Sequence, residues 1–109
     1  MVIIMNFECN DIKKVMYNIL KEHDMTRESI NKLESESHQK RIDIEKIDYE
    51  CFTEKKITVE EYKGKIKLMQ EEIYLINTKK SRLEDKMSVL RNDMMHSVRD
   101  LQNCEMKKL

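Results

Sequence analysis

Two long runs of this sequence place an apolar residue at alternating spacings of three and four. We call each run of spaced positions a seam. The first seam comprises Cys9, Ile12, Met16, Ile19, His23, Thr26, Ile30, Leu33, Ser37, Lys40, Ile44, Ile47 and Cys51. The second seam comprises Val59, Tyr62, Ile66, Met69, Ile73, Ile76, Lys80, Leu83, Met87, Leu90, Met94, Ser97, Leu101 and Cys104. A repeat held this long is typical of a coiled coil. Two ordinary amphipathic helices of a small bundle would show the same seam, and both interpretations are all-α.

The composition leaves little room for turns. The chain has 109 residues, with one Gly and no Pro, and 39% of its residues are charged. Folds with many strands need Gly, Pro, Asn and Asp at their corners. This composition therefore disfavours sandwiches, barrels and doubly wound sheets. We expect a single domain over residues 1–109.

The two seams do not join in phase, and the break coincides with a helix-start signal. Thr58 and Glu61 have the spacing of a capping box, with Thr58 as the N-cap. Ile57 and Tyr62 have the spacing of a hydrophobic staple. The sequence therefore predicts a turn near residues 54–57, with helix 1 at about 8–53 and helix 2 at about 59–106. No Gly or Pro lies at the break, so one continuous bent helix is the alternative.

If the helices fold back as an antiparallel hairpin, the two seams face each other in a fixed register. Cys51 then faces Tyr62, and Cys9 faces Cys104 near the open ends. Each polar seam residue meets an apolar one, so that no like charges oppose each other within the seam. Beside the seam, the same register places Asp43 near Glu72, an unfavourable pair.

Charge and cysteine content argue against several classes of protein. The net charge is zero, from 21 basic and 21 acidic side chains, so the basic footprint of a nucleic-acid-binding domain is missing. Three cysteines do not make a secreted disulfide framework. The apolar N-terminal stretch is too short for a signal peptide or a membrane span. We therefore expect a soluble cytoplasmic protein with no membrane association, in which Cys9 and Cys104 are reduced.

The residue patterns of common active sites are absent from the sequence. It contains no glycine-rich phosphate loop, no nucleophilic-serine motif, and neither His-Glu-x-x-His nor Cys-x-x-Cys. Zinc would need three or four converging ligands, and the best predicted cluster, Cys9 with Cys104, offers two. We therefore predict no catalytic residues, no cofactor, no metal and no small-molecule substrate.

Apolar residues outside the seams suggest a surface that binds another protein. A two-helix hairpin buries one stripe per helix, so additional apolar residues favour a partner. They are concentrated, by this interpretation, toward the turn. The predicted interface is Ile42, Tyr49, Phe52, Leu68 and Leu75.

The segment around the predicted turn resembles a known family. Residues 49–62 read Tyr-Glu-Cys-Phe-Thr-Glu-Lys-Lys-Ile-Thr-Val-Glu-Glu-Tyr. This resembles the turn of the coiled-coil hairpin inserted in large serine recombinases, and the likeness extends over about residues 45–75. Lys55 stands where that family usually has Gly. The family's catalytic domain is not in this chain, so the resemblance implies a module that binds other hairpins during DNA synapsis, without catalysis.

Three functions are consistent with these patterns. The first is a non-enzymatic interaction or scaffold protein that assembles with itself, as a homo-oligomer, or with another helical protein. The second is an accessory or remnant coiled-coil module of a DNA-recombination system. The third is a helical-hairpin chaperone or export adaptor that uses its nine Met residues as an adaptable surface.

Overall fold

The protein is a pair of long α-helices joined by a short connector. The structure, a computed structural model, describes the backbone of residues 2–107 and the side chains of residues 9–107. Helix α1 is Val2–Phe52 and helix α2 is Val59–Met106, and residues 53–58 connect them. No strand occurs within residues 2–107. The predicted all-α antiparallel hairpin is confirmed, and the continuous bent helix is wrong.

The helix boundaries follow from local sequence signals. Helix α1 begins earlier than the predicted residue 8, at Val2, and no Gly or Pro interrupts the residues between. Helix α2 starts where the capping box predicted it. The amide of Glu61 donates to the Thr58 hydroxyl at 3.1 Å, which satisfies one of the free amides of the first turn.

The end of α1 is closed by backbone hydrogen bonds that the sequence signals did not predict. The amides of Thr53 and Glu54 both donate to the Tyr49 carbonyl, at 3.0 and 2.9 Å. The Lys56 amide donates to the Glu50 carbonyl at 2.8 Å. Lys55, which lies between Glu54 and Lys56, has a φ of 55°. This value falls in the left-handed region that glycine usually occupies at helix ends. The chain therefore reverses direction at a residue with an unfavourable backbone conformation for its side chain.

The two helices divide into two compact units. The terminal unit contains the described residues up to Glu28 together with those from Glu84 onward, and the turn unit is Ser29–Leu83. Each unit contains a segment of α1 and a segment of α2.

The buried residues lie on the predicted seams in both units. In the terminal unit they are Cys9, Thr26, Met87, Leu90, Ser97 and Cys104, and in the turn unit Ile30, Ser37, Ile47, Cys51 and Ile76. Every other seam residue is half-buried except Val59, which is exposed at the start of α2. The heptad pattern thus identified the core, because only the facing stripes of two helices can be shielded from water.

Two buried polar seam residues differ in how their hydroxyls are satisfied. The Thr26 hydroxyl donates to the Glu22 carbonyl of its own helix at 2.7 Å. The Ser37 hydroxyl is buried and has no hydrogen-bond partner. A buried hydroxyl without a partner costs free energy because its hydrogen bonds to water are lost on folding.

We predict that Ser37→Ala raises the free energy of unfolding by roughly 1 kcal/mol, since it removes an unsatisfied buried hydroxyl. Ser35→Ala is the matched control, because Ser35 is exposed on the same helix. Urea unfolding followed by circular dichroism measures both. Equal effects of the two changes would show that the gain comes from helix propensity instead of the buried hydroxyl.

We predict that Lys55→Gly also stabilises the protein, by roughly 1 kcal/mol, because it relieves the left-handed backbone at this position. Lys56→Gly is the control at the adjacent connector residue, whose φ is not positive. This control should be neutral or destabilising, since it adds chain entropy to the unfolded state and removes the ion pair between Lys56 and Glu54. Thermal unfolding of the two variants distinguishes these outcomes, and a larger gain for Lys56→Gly would contradict the prediction.

Candidate functional site

The terminal unit has an exposed groove between its two helical segments that can hold another molecule. Its volume is about 380 Å³. The groove is lined by Ile19, Leu20, His23, Arg27, Met87, Leu90, Arg91 and Met94. We call it the terminal groove. Most of these side chains are apolar, so the site favours an apolar segment of a partner molecule.

The groove exists because two helices shield only the centre of each seam. Ile19 and Met94 are seam residues, yet both are half-buried and open to the groove. Leu20 lies one residue beside the seam and is 53% exposed. A third helix laid along this side would cover all three, as in the helix-in-groove mode of recognition.

Two arginines give the groove its charge. Arg27 comes from α1 and Arg91 from α2, and in the part of the chain that the structure describes neither has a carboxylate within ion-pair distance. His23 also lines the groove, and its Nδ1 lies 3.9 Å from a carboxylate oxygen of Asp24. A guanidinium binds carboxylates through paired hydrogen bonds. The groove can therefore accept an apolar segment that carries acidic groups at its edge.

A second opening, of about 550 Å³, lies on the other side of the same seam. It shares Ile19 and Leu90 with the terminal groove, and Val15 and Met25 add apolar surface on its own side. Helical spacing places Val15 and Leu20 on opposite sides of Ile19. The seam of this unit is therefore open on both sides.

The exposed apolar residues are distributed differently from the prediction. The sequence interpretation concentrated them near the turn, but the terminal unit exposes several that it did not name. These are Val15, Tyr17, Leu20, Met25, Val89, Met95, Val98 and Met106. Their positions outside the seam can be read from the sequence in the same way as those near the turn. The concentration toward the turn is therefore not observed.

The five residues of the predicted interface are all exposed, and all lie in the turn unit. Their exposed fractions run from 43% for Ile42 to 62% for Leu68. Ile42 and Tyr49, seven residues apart, lie on the side of α1 opposite its seam, with Phe52 beside them. Leu68 and Leu75 lie on an outer side of α2. Since the seams face each other, these outer sides point apart, so the five residues form two separate patches.

We call Ile42, Tyr49 and Phe52 the α1 patch. One of its members, Phe52, takes part in an aromatic contact at the turn. The Phe52 ring packs edge-to-face on Tyr62, with ring centroids 4.9 Å apart. The Tyr62 hydroxyl donates to a carboxylate oxygen of Asp48 at 2.6 Å. This hydrogen bond, with burial and the Asp48 charge, raises the pKa of Tyr62 above its ordinary value. The predicted staple partner of Tyr62 was Ile57, and the ring contact observed is with Phe52.

A seam lysine, Lys40, reduces the repulsion predicted between Asp43 and Glu72. Lys40 extends from the seam and binds the Glu72 carboxylate of the facing helix. Asp43 accepts a hydrogen bond from the Gln39 amide at 3.2 Å. The bond to Glu72 raises the pKa of the Lys40 ammonium, which burial opposes. The seam lysine Lys40 therefore offsets the predicted Asp43–Glu72 repulsion, a role that its seam position alone does not indicate.

Other ion pairs also join the two helices, among them Lys13 with Glu105 at 3.9 Å. The seam lysine Lys80 reaches Glu34 at 3.5 Å in the turn unit. In the terminal unit Lys86 lies 3.4 Å from Glu22. Partly exposed pairs contribute little stability, about 0–1 kcal/mol each, but they favour one register over its neighbours.

The cysteines lie at both ends of the seam. Cys9 and Cys104 form a disulfide, with Cα atoms 5.8 Å apart, whereas we had expected reduced thiols. The facing positions explain the bond, since disulfides need Cα atoms within about 4.4–6.8 Å. Cys51 is a buried free cysteine of the turn unit.

Among the described residues, no group of three or more His, Cys, Asp or Glu side chains could hold a metal ion. Neither helix, over the part described, has a stretch long and apolar enough to cross a membrane. No protein-family model, curated protein or solved structure matches the chain.

We predict that Tyr62 makes the protein lose stability at alkaline pH. Its folded-state pKa is raised, so its contribution is complete below the unfolded pKa of about 10 and is lost as pH rises through the folded value. Urea midpoints between pH 8 and about 11.5 should fall more steeply for the native protein than for Tyr62→Phe. Tyr74→Phe is the control, because Tyr74 is 70% exposed. Equal slopes for all three proteins would contradict the prediction.

Proposed function

We propose that this chain is a non-enzymatic interaction protein that assembles with itself or with another helical protein. The terminal groove is the observation that carries the proposal. Its apolar residues are left open to water by a two-helix core, and a third helix could cover them. The proposal places the protein in the cytoplasm, as a soluble scaffold without catalytic residues or cofactors.

The exposed α1 patch supports assembly at a second place. Tyr49 and Phe52 are each more than half exposed, and aromatic residues contribute strongly to the centres of protein interfaces. The contact with Tyr62 holds the Phe52 ring in place before a partner arrives. Ordering these side chains in advance reduces the entropy lost on binding.

A module from a DNA-recombination system is the second candidate. The observation that favours it is the turn, where Lys55 adopts the left-handed backbone at the position that large serine recombinases usually fill with Gly. In this function the α1 patch near the turn would contact another hairpin. It would act by protein contact and not by binding DNA directly.

We predict that self-assembly depends on the groove. Leu20→Ser should lower the mass of the assembled protein toward the 13.2 kDa of one chain, because it removes an apolar contact from the groove. Val89→Ser is the matched control, since Val89 is similarly exposed in the same unit but does not line the groove. Analytical ultracentrifugation measures the mass, and circular dichroism checks that the helices remain.

The same measurement on Tyr49→Ser/Phe52→Ser tests the α1 patch, with Tyr74→Ser as its control. A native protein that keeps the mass of one chain at every concentration would exclude self-assembly. A helical partner would then be the remaining form of the proposal. If the native protein assembles and neither surface matters, the groove and the patch are ordinary surface.

A further inference from the structure

The Cys9–Cys104 disulfide closes the terminal unit. It joins residues separated by 95 positions in the sequence, one from each helix. Cys9 is 1% exposed and Cys104 is 7% exposed, so the bond lies within the seam and is not a surface crosslink. A link between such distant residues removes many conformations from the unfolded chain, and stabilisation rises with the length of the closed loop.

The two helical segments of the turn unit are held together by a connector that the terminal unit lacks. The six-residue connector at 53–58 joins these segments directly and is fixed by the Lys56 backbone bond and the Thr58 cap. Interhelical contacts within the turn unit include the Tyr62–Asp48 hydrogen bond. This unit therefore stays closed whether or not the disulfide forms.

The connector lies outside the terminal unit, so this unit relies on its seam and on the disulfide. Its seam, like that of the turn unit, includes three polar residues, here His23, Thr26 and Ser97. Its seam is open on both sides, through the terminal groove and the second opening. Within this unit the disulfide is the covalent link between the two segments, and the other contacts are noncovalent, including those of the buried residues Thr26, Met87 and Leu90. Closure of this unit thus depends on the disulfide more than closure of the turn unit does.

We propose that Cys9 and Cys104 form a redox clasp that controls the terminal unit alone. When the disulfide is formed, the terminal unit is closed. When it is reduced, the helix segments of this unit separate and fray, while the turn unit remains folded. The proposal does not rest on the proposed function, although the terminal groove belongs to the unit that the clasp controls.

The clasp closes by exchange with a small-molecule disulfide. One protein thiolate attacks that disulfide, forming a mixed disulfide and releasing one small thiolate. The second protein thiolate then attacks the protein sulfur of the mixed disulfide and releases the other small thiolate. The protein loses two protons and two electrons, and the small disulfide becomes two thiols. A small thiol in excess reverses both steps.

The position of the clasp makes it accessible to this exchange. The two sulfurs are buried, so a small thiol reaches them only after local opening. Cys9 and Cys104 lie near the helix ends that the connector does not join, and helix ends open at the lowest free energy. Cys51 is the buried free cysteine of the turn unit and is not part of the clasp.

Hydrogen exchange measured by mass spectrometry tests the clasp on the full chain. The protein is compared in its oxidised form and after reduction with a phosphine. Reduction should accelerate amide exchange in residues 12–28 and 84–101 on the order of 100-fold, within the range expected for loss of a long-loop disulfide. Exchange in residues 37–51 and 62–76 should stay within about 2-fold of the oxidised form, because this unit opens independently.

Two variants complete the test. Cys9→Ala/Cys104→Ala keeps the seam apolar but cannot form the bond, so it should exchange like the reduced protein under oxidising conditions. Cys51→Ala should retain the full difference between oxidised and reduced forms. The clasp is overturned if the double variant exchanges like the oxidised protein. It is equally overturned if reduction accelerates exchange in both units together, since the chain would then open as one cooperative body.

Discussion

Each helix of this protein has one apolar stripe, and the other helix is what covers it. Burial of these two stripes against each other is the interaction on which the remaining structure depends, because single helices of this composition have no other core. The buried residues, among them Ile30, Ile47 and Leu90, all lie on the stripes. The reversal at residues 53–58 is what brings the stripes of one chain together.

A core of two facing stripes shields only the centre of each stripe from water, and the terminal groove results from this limited burial. Ile19 and Leu90 belong to the two facing seams, and both also line the openings on the two flanks of the seam. A third helix would shield the half-buried Ile19 and Met94 more fully from water, with a gain of roughly 25 cal/mol per Å² of apolar surface covered. The groove and the core are thus parts of one arrangement, and the same residues serve both.

Polar residues on the seam favour one register of the two helices over others, at some cost in stability. Lys40 and Lys80 interrupt the apolar stripe, and each extends sideways to a glutamate of the facing helix. Such pairs add little net free energy, but a shifted register would separate the charges. Ser37 has no such compensation, since its hydroxyl is buried without a partner. The stripe is therefore a compromise between uniform burial and a single alignment.

The sequence alone determined the all-α class, the seam residues, the turn and the Thr58 cap, because heptad spacing and capping chemistry act over a few neighbouring residues. It also placed Cys9 opposite Cys104, since register in a hairpin follows from counting. Only the tertiary structure decided what depends on side-chain reach across the helices. The Lys40–Glu72 pair, the Phe52–Tyr62 contact and the terminal groove are of this kind. The left-handed Lys55 also escaped prediction, because no glycine marks the position and the backbone bonds that close α1 impose it.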